Sequence, residues 1–173
     1  VMVDAFIAQA FGILSLVLGL STFYQKDDKK LKLVMLALNV SHLIHFLLLG
    51  SIVSAIGALL SAFRTGIAIY SKSVWVALIF ICISLVSGLM FAENISELWP
   101  IAGTIIGTFS IFMLKGIALR FGFLFGATCW LINNILVGSI GGTLLEISVM
   151  TMNTITIFRL YRDKRQAMAL ANQ

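Results

Sequence analysis

Apolar residues occur along this chain in long runs, broken by short polar stretches. Each run is close to the roughly 20 residues that a helix needs to cross a ~30 Å hydrocarbon core. Seven such runs fall near 5–24, 33–49, 52–70, 74–92, 98–114, 118–137 and 140–160. Helices are expected for all of them, because within lipid every backbone N–H and C=O must find its partner inside the segment. The connections are only a few residues long, which leaves no room for a soluble catalytic or nucleic-acid-binding domain.

The pattern also repeats itself. Leu49-Gly50-Ser51-Ile52 returns 88 positions later as Val137-Gly138-Ser139-Ile140. The same register sets His42 opposite Trp130, His45 opposite Asn133, Phe46 opposite Asn134, Ala58 opposite Glu146 and Thr65 opposite Asn153. The halves thus share hydropathy while their polar residues diverge, which suggests an asymmetric site. Three spans per copy leave the second copy inverted unless one helix intervenes, and span 4, which has no counterpart, supplies it. The expected fold class is an all-α membrane protein of seven transmembrane helices in a 3+1+3 parallel repeat. Its parts are a first triple-helix repeat over 1–72, a linker helix and outer loop over 73–97, a second triple-helix repeat over 98–165 and a cytoplasmic tail over 166–173. Ahead of span 2 the offset widens to about 91, matching Gly12 with Gly103, and a longer first loop from Gln25 to Lys32 accounts for it. Each Gly-Ser pair is read as a tight outer hairpin, the glycine ending one helix and the serine capping the next.

Composition narrows the class. With 60% hydrophobic and 11% charged residues and a mean hydropathy of +1.07, the chain could not cover a water-soluble surface with polar groups. The charges are sorted by side. Lys26, Lys29, Lys30 and Lys32 lie between spans 1 and 2, Lys72 between 3 and 4, Lys115 and Arg120 around the turn from 5 to 6, and Arg159, Arg162, Lys164 and Arg165 at the carboxyl end. Arg64 alone is read as lying deep inside a span and not near its end, and the opposite ends carry Asp4, Glu93 and Glu97. Lys and Arg collect on the cytoplasmic side, so the amino terminus is expected outside and the carboxyl terminus inside. No Lys or Arg precedes the first apolar run and no small-x-small pattern follows it, so span 1 is expected to remain as a helix. Cys82 and Cys129 lie within spans and are read as core.

The paired Gly-Ser hairpins, together with the run Gly138-Ser-Ile-Gly-Gly-Thr-Leu-Leu-Glu146 continuing through Met152-Asn153 to Arg159, resemble the YgjV family of bacterial inner-membrane proteins over nearly the whole chain. That resemblance implies a multi-pass protein of the bacterial inner (cytoplasmic) membrane and carries no activity with it. The layout also resembles the SWEET and PQ-loop transporters, which share three plus one plus three helices with the amino terminus outside. In SWEET carriers an asparagine pair on spans 3 and 7 lines the cavity. The resemblance gives Asn153 and its repeat partner Thr65 that place, while this chain has one proline, Pro100, where those carriers have hinge prolines in each half.

Several polar residues could line a substrate site. Glu146 is the one carboxyl group deep within a span, and an intramembrane ionisable group is a functional candidate by default. Asn153 lies seven residues on, along the same face of span 7; it is read equally as site lining and as interhelical glue, whereas site lining is the favoured reading of Glu146. Arg64 belongs to a small, polar face of span 3 and is read either as snorkelling to the cytoplasm or as facing a cavity, where it would favour a carboxylate or phosphate. Asn39, His42 and His45 recur every three residues on span 2, and Trp130, Asn133 and Asn134 occupy matching levels on span 6. Such groups can sandwich and hydrogen-bond a small solute. The two histidines lack neighbours to complete a metal ligand set, and no metal or other cofactor is expected. Metalloprotease, nucleophile-elbow and phosphate-loop motifs are absent, which points away from an enzyme. The basic tail from Arg159 to Arg165 is read as a topological anchor and lipid-headgroup contact, with no nucleic-acid partner. Gly12, Gly19, Gly103 and Gly107 are read as close-packing positions, and such small surfaces permit a homo-oligomer.

The expected function is therefore transport of a small polar solute by alternating access between two triple-helix bundles, with proton coupling through Glu146. The rival reading is a ligand-binding receptor or structural membrane protein of the same fold. The expected partners are the lipid bilayer and the solute.

Overall fold

The computed structural model describes residues 2–48, 52–91, 95, 98–136 and 140–171. Both Gly-Ser hairpins, the acidic Glu93 and Glu97, and the side chains of Asp4, Phe46 and Asn134 lie outside the described residues. Among those described, the chain forms seven α-helices and no strand: α1 (Met2–Tyr24), α2 (Asp28–Leu48), α3 (Ile52–Tyr70), α4 (Val74–Phe91), α5 (Leu98–Met113), α6 (Gly116–Leu136) and α7 (Ile140–Ala171). Two compact units result, Val1–Ser71 and Lys72–Gln173. In the first, α2 packs against both α1 and α3; in the second, α4 packs on α5, α5 on α6 and α6 on α7.

Local chemistry sets the helix ends. The loop before α2 is only Gln25 to Asp27, because Asp27 Oδ1 accepts the backbone N–H of Lys30 at 2.7 Å and caps the helix five residues earlier than the lysine run suggests. The lysines at 29, 30 and 32 are thus on a helix and not in a loop. Between α5 and α6 the link is just Leu114 and Lys115, and the chain turns through Gly116, whose φ of +57° is the left-handed conformation that glycine adopts at little cost. The final helix does not stop near residue 160 but runs on to Ala171, so the expected tail is helical as far as that residue.

Small polar residues share the interior with apolar ones, and many large apolar side chains face outward. Ser15, Thr22, Ser41, Thr65, Thr108, Ser110, Asn153 and Thr156 are buried, whereas Ile13, Val17, Phe63, Phe109, Phe125 and Phe158 face outward. Small polar residues let helices approach closely, and many hydroxyls are satisfied within their own helix, as in Thr22 to Leu18 O at 2.7 Å and Ser110 to Ile106 O at 2.6 Å. Large apolar groups on the outside are what a hydrocarbon solvent requires. Cys129 is buried as expected, but Cys82 is exposed on α4, whose outward face is apolar almost throughout. Among the described residues Gly116–Asn133 is long and apolar enough to cross a membrane, and shorter apolar stretches occupy 10–24, 58–70, 74–86 and 101–113.

Many buried positions coincide at a spacing of 88, although the buried Ala58 and Ala62 stand before the half-buried Glu146 and Met150. The buried Ser15, Gly19, Thr22 and Phe23 of α1 stand 88 residues before the buried Gly103, Gly107, Ser110 and Ile111 of α5. Leu31, Lys32, Met35 and Ser41 of α2 stand likewise before Leu119, Arg120, Phe123 and Cys129 of α6, and Thr65 and Ala68 before Asn153 and Thr156. At an offset of 88 the four α1 positions all meet buried positions of α5. A shift to 91 would set three of the four buried α1 positions against half-buried ones.

Candidate functional site

Each unit carries its own buried polar cluster. In the first, Asn39 on α2 donates through Nδ2 to Thr65 Oγ1 at 3.1 Å and to Ser61 O at 3.2 Å, both on α3. One end of the same helix pair is closed by Lys32. This residue is buried, and its Nζ donates to Ala68 O at 2.8 Å near the carboxyl end of α3, where a cation offsets the partial negative charge of unpaired carbonyls. Across the α1/α2 seam, Ser15 donates to Ser41 Oγ at 3.0 Å and Ser41 to Phe11 O at 3.2 Å.

In the second unit Asn153 of α7 is 1% exposed, and its Nδ2 donates to Arg120 O on α6 at 2.8 Å. Arg120 is fully buried and donates from a terminal guanidinium nitrogen to Gly116 O at 2.9 Å, one turn back along α6. Asn153 Oδ1 and Thr156 Oγ1 are buried with no hydrogen-bond partner among the described residues. They sit three residues apart, on one helix face. Buried polar atoms are normally paired, so these two acceptors mark a place where packing alone does not complete the chemistry.

The residues singled out from the sequence are only partly brought together. Thr65 and Asn153 are both buried and both hydrogen-bonded within their own units, Thr65 to Asn39 and Asn153 to the Arg120 carbonyl. Arg64 is half-buried next to Thr65, and Glu146 is half-buried on α7 two turns before Asn153. His42 and Asn133 are also half-buried. His45 and Trp130 lean on neighbouring helices. A Cβ on Gly12 of α1 would lie 3.1 Å from His45 Cε1, and one on Gly103 of α5 would lie 2.7 Å from Trp130 Cδ1. In both cases an aromatic ring covers a glycine that leaves room for it. Asn134 has no described side chain.

Lys32 and Arg120 were not expected in the core. Both look like loop cations in the sequence, so Arg64 is not the one basic residue within an apolar helix. A sign of them was nonetheless present, since they stand 88 residues apart, each behind a leucine, in the same register as the Gly-Ser pairs. Asn39 shares its spacing with the histidines, but its partnership with Thr65 depends on helix rotation, which spacing alone does not give.

The chain matches the Imp-YgjV family, described as a bacterial inner membrane protein, over residues 6–164. It is 35% identical over 160 residues to the inner membrane protein YgjV of Escherichia coli (strain K12), an alignment that covers 92% of this chain and 87% of that protein. No solved structure matches it. A match over almost the whole sequence, in a chain that exposes many large apolar side chains, places it in the bacterial inner membrane as a member of the YgjV family.

Proposed function

We propose that this protein is a multi-pass carrier that moves a small polar solute across the inner membrane by alternating access. In this reading seven helices cross the bilayer as two parallel triplets joined by α4, with the amino terminus outside and the carboxyl terminus inside. The 88-residue spacing of buried positions supports the repeat, and the clustering of lysine and arginine at one set of helix ends supports the orientation. The observation that carries the transport reading is Asn153. A buried amide in lipid is costly unless satisfied, yet its Oδ1 is left without a partner, as a group that engages a solute would be. Glu146, two turns away along the same helix, is assigned the coupled proton.

A structural or receptor role is the second reading, favoured by the bonds that Thr65 and Asn153 already make inside their own units. A thermal-stabilisation screen of the detergent-solubilised protein against sugars, amino acids, nucleosides and carboxylates identifies a ligand, since binding only the folded state raises the melting temperature. Flux of the labelled hit into proteoliposomes then separates the readings. A carrier will show saturable uptake that Asn153→Ala abolishes, and Glu146→Gln will remove its pH dependence while leaving exchange intact. Binding without flux would establish reception instead.

A further inference from the structure

Between α2 and α3 the first unit carries a groove of about 320 Å³, lined by Leu36, Leu59, Ala62, Phe63, Gly66 and Ile67. Gly66 opens it: a Cβ built there would meet nothing nearer than Leu36 Cδ1 at 3.9 Å. Phe63 stands at its edge, 59% exposed. At the position 88 residues on, glycine is replaced by Thr154, so the notch belongs to the first unit.

One end of this groove is charged. The bonds from Lys32 to Ala68 O and from Asn39 to Ser61 O fix the antiparallel register of α2 and α3. That register sets Leu33 level with Ile67 and Lys29 level with Ser71. Lys29 is exposed and lies two turns before Leu36 on the same helix face. It therefore stands one turn, about 6 Å, beyond the Ile67 end of the groove. Tyr70, 86% exposed, is at the same level, where interfacial aromatic rings sit. The segment 26–32 holds four lysines against two aspartates, a net charge of +2.

We propose that this groove seats one acyl chain of an anionic phospholipid of the surrounding bilayer, with the headgroup phosphate against Lys29. The apolar notch takes the chain, and the basic segment one turn beyond selects the headgroup charge. The inference rests on α2 and α3 lying in the bilayer, part of the multi-pass reading above, and not on transport.

Native mass spectrometry of the full chain, delipidated and titrated with phosphatidylglycerol and phosphatidylcholine of identical acyl chains, tests it. Phosphatidylglycerol should be retained at about tenfold lower concentration than phosphatidylcholine. Gly66→Leu, which fills the notch, should weaken retention of both lipids. Lys29→Gln combined with Lys30→Gln should bring phosphatidylglycerol down to the level of phosphatidylcholine without lowering the latter. Equal retention of the two lipids by the unmodified chain, or lysine variants that keep the preference, would overturn the proposal. So would a dimer that Gly66→Leu converts to monomer, since a second copy would then fill the groove. Carbonate extraction of membranes run in parallel checks embedding separately: release of the chain would sink both readings, whereas retention in the membrane without lipid preference would sink only this one.

Discussion

Lys32 and Arg120 show how one position in a helical pattern can be occupied by related side chains that act differently. Lys32 reaches the carbonyl of Ala68 because α3 ends two residues later, whereas α7 continues past Thr156 and Arg120 turns back to Gly116 on its own helix. Lys32→Met keeps the apolar stem but leaves the Ala68 carbonyl without its charged donor. It should destabilise the protein by about 1–3 kcal/mol in a reversible detergent unfolding assay, while Lys32→Arg retains most of the stability. Loss of stability in neither variant would show that water already satisfies that carbonyl. The Asn39 to Thr65 bond is more modest. A double-mutant cycle with Asn39→Ala and Thr65→Val should return a coupling near 0.6 kcal/mol and below about 1.7 kcal/mol, the range for hydrogen bonds between membrane helices. A coupling of zero would mean that the two residues do not share a contact in the bilayer.

At the level of helices, hydropathy located most of the elements because the lipid requirement is written in length and apolarity. The expected 52–70 coincides with α3, and 74–92 agrees with α4 as far as Phe91, the last described residue there. The start of α2 differs from the expectation because four lysines look like a loop, while the Asp27 cap and the inward reach of Lys32 keep Lys29, Lys30 and Lys32 helical. Rotation about each helix axis was not legible, and it decides which glycines matter. A Cβ at Gly103 would stand 2.9 Å from the backbone oxygen of Gly126, which cannot swing aside, whereas one at Gly12 comes nearest to the His45 ring at 3.1 Å and one at Gly107 meets nothing within 4 Å. Alanine substitutions should therefore rank Gly103→Ala as the most destabilising, Gly12→Ala as mild, and Gly107→Ala as neutral or stabilising by up to about 1 kcal/mol through helix propensity. Melting temperatures of the three variants check that order, and a destabilised Gly107→Ala would contradict the packing of α5. Of the candidate site, Thr65 and Asn153 were legible through the repeat register, but Asn39, Arg120 and Thr156 needed the helices to be placed against each other.

For the whole molecule, the proposed orientation makes a direct prediction. A membrane-impermeant thiol reagent added to intact cells should label Asn94→Cys and leave Lys164→Cys unlabelled until the membrane is permeabilised. The reverse result would invert every inside and outside assignment. The length of α7 has a use of another kind. Its 32 residues extend about 48 Å at ~1.5 Å per residue, well beyond the ~30 Å of a hydrocarbon core. The last eleven residues, 161–171, are largely exposed and include Arg162, Lys164 and Arg165, so they form a solvated rod continuous with a helix that packs on α6. An 18.9 kDa chain is a difficult target for single-particle imaging. A large soluble helical protein grafted in phase after Ala171 would inherit the direction of α7 without a flexible joint, giving particle alignment a rigid marker outside the detergent.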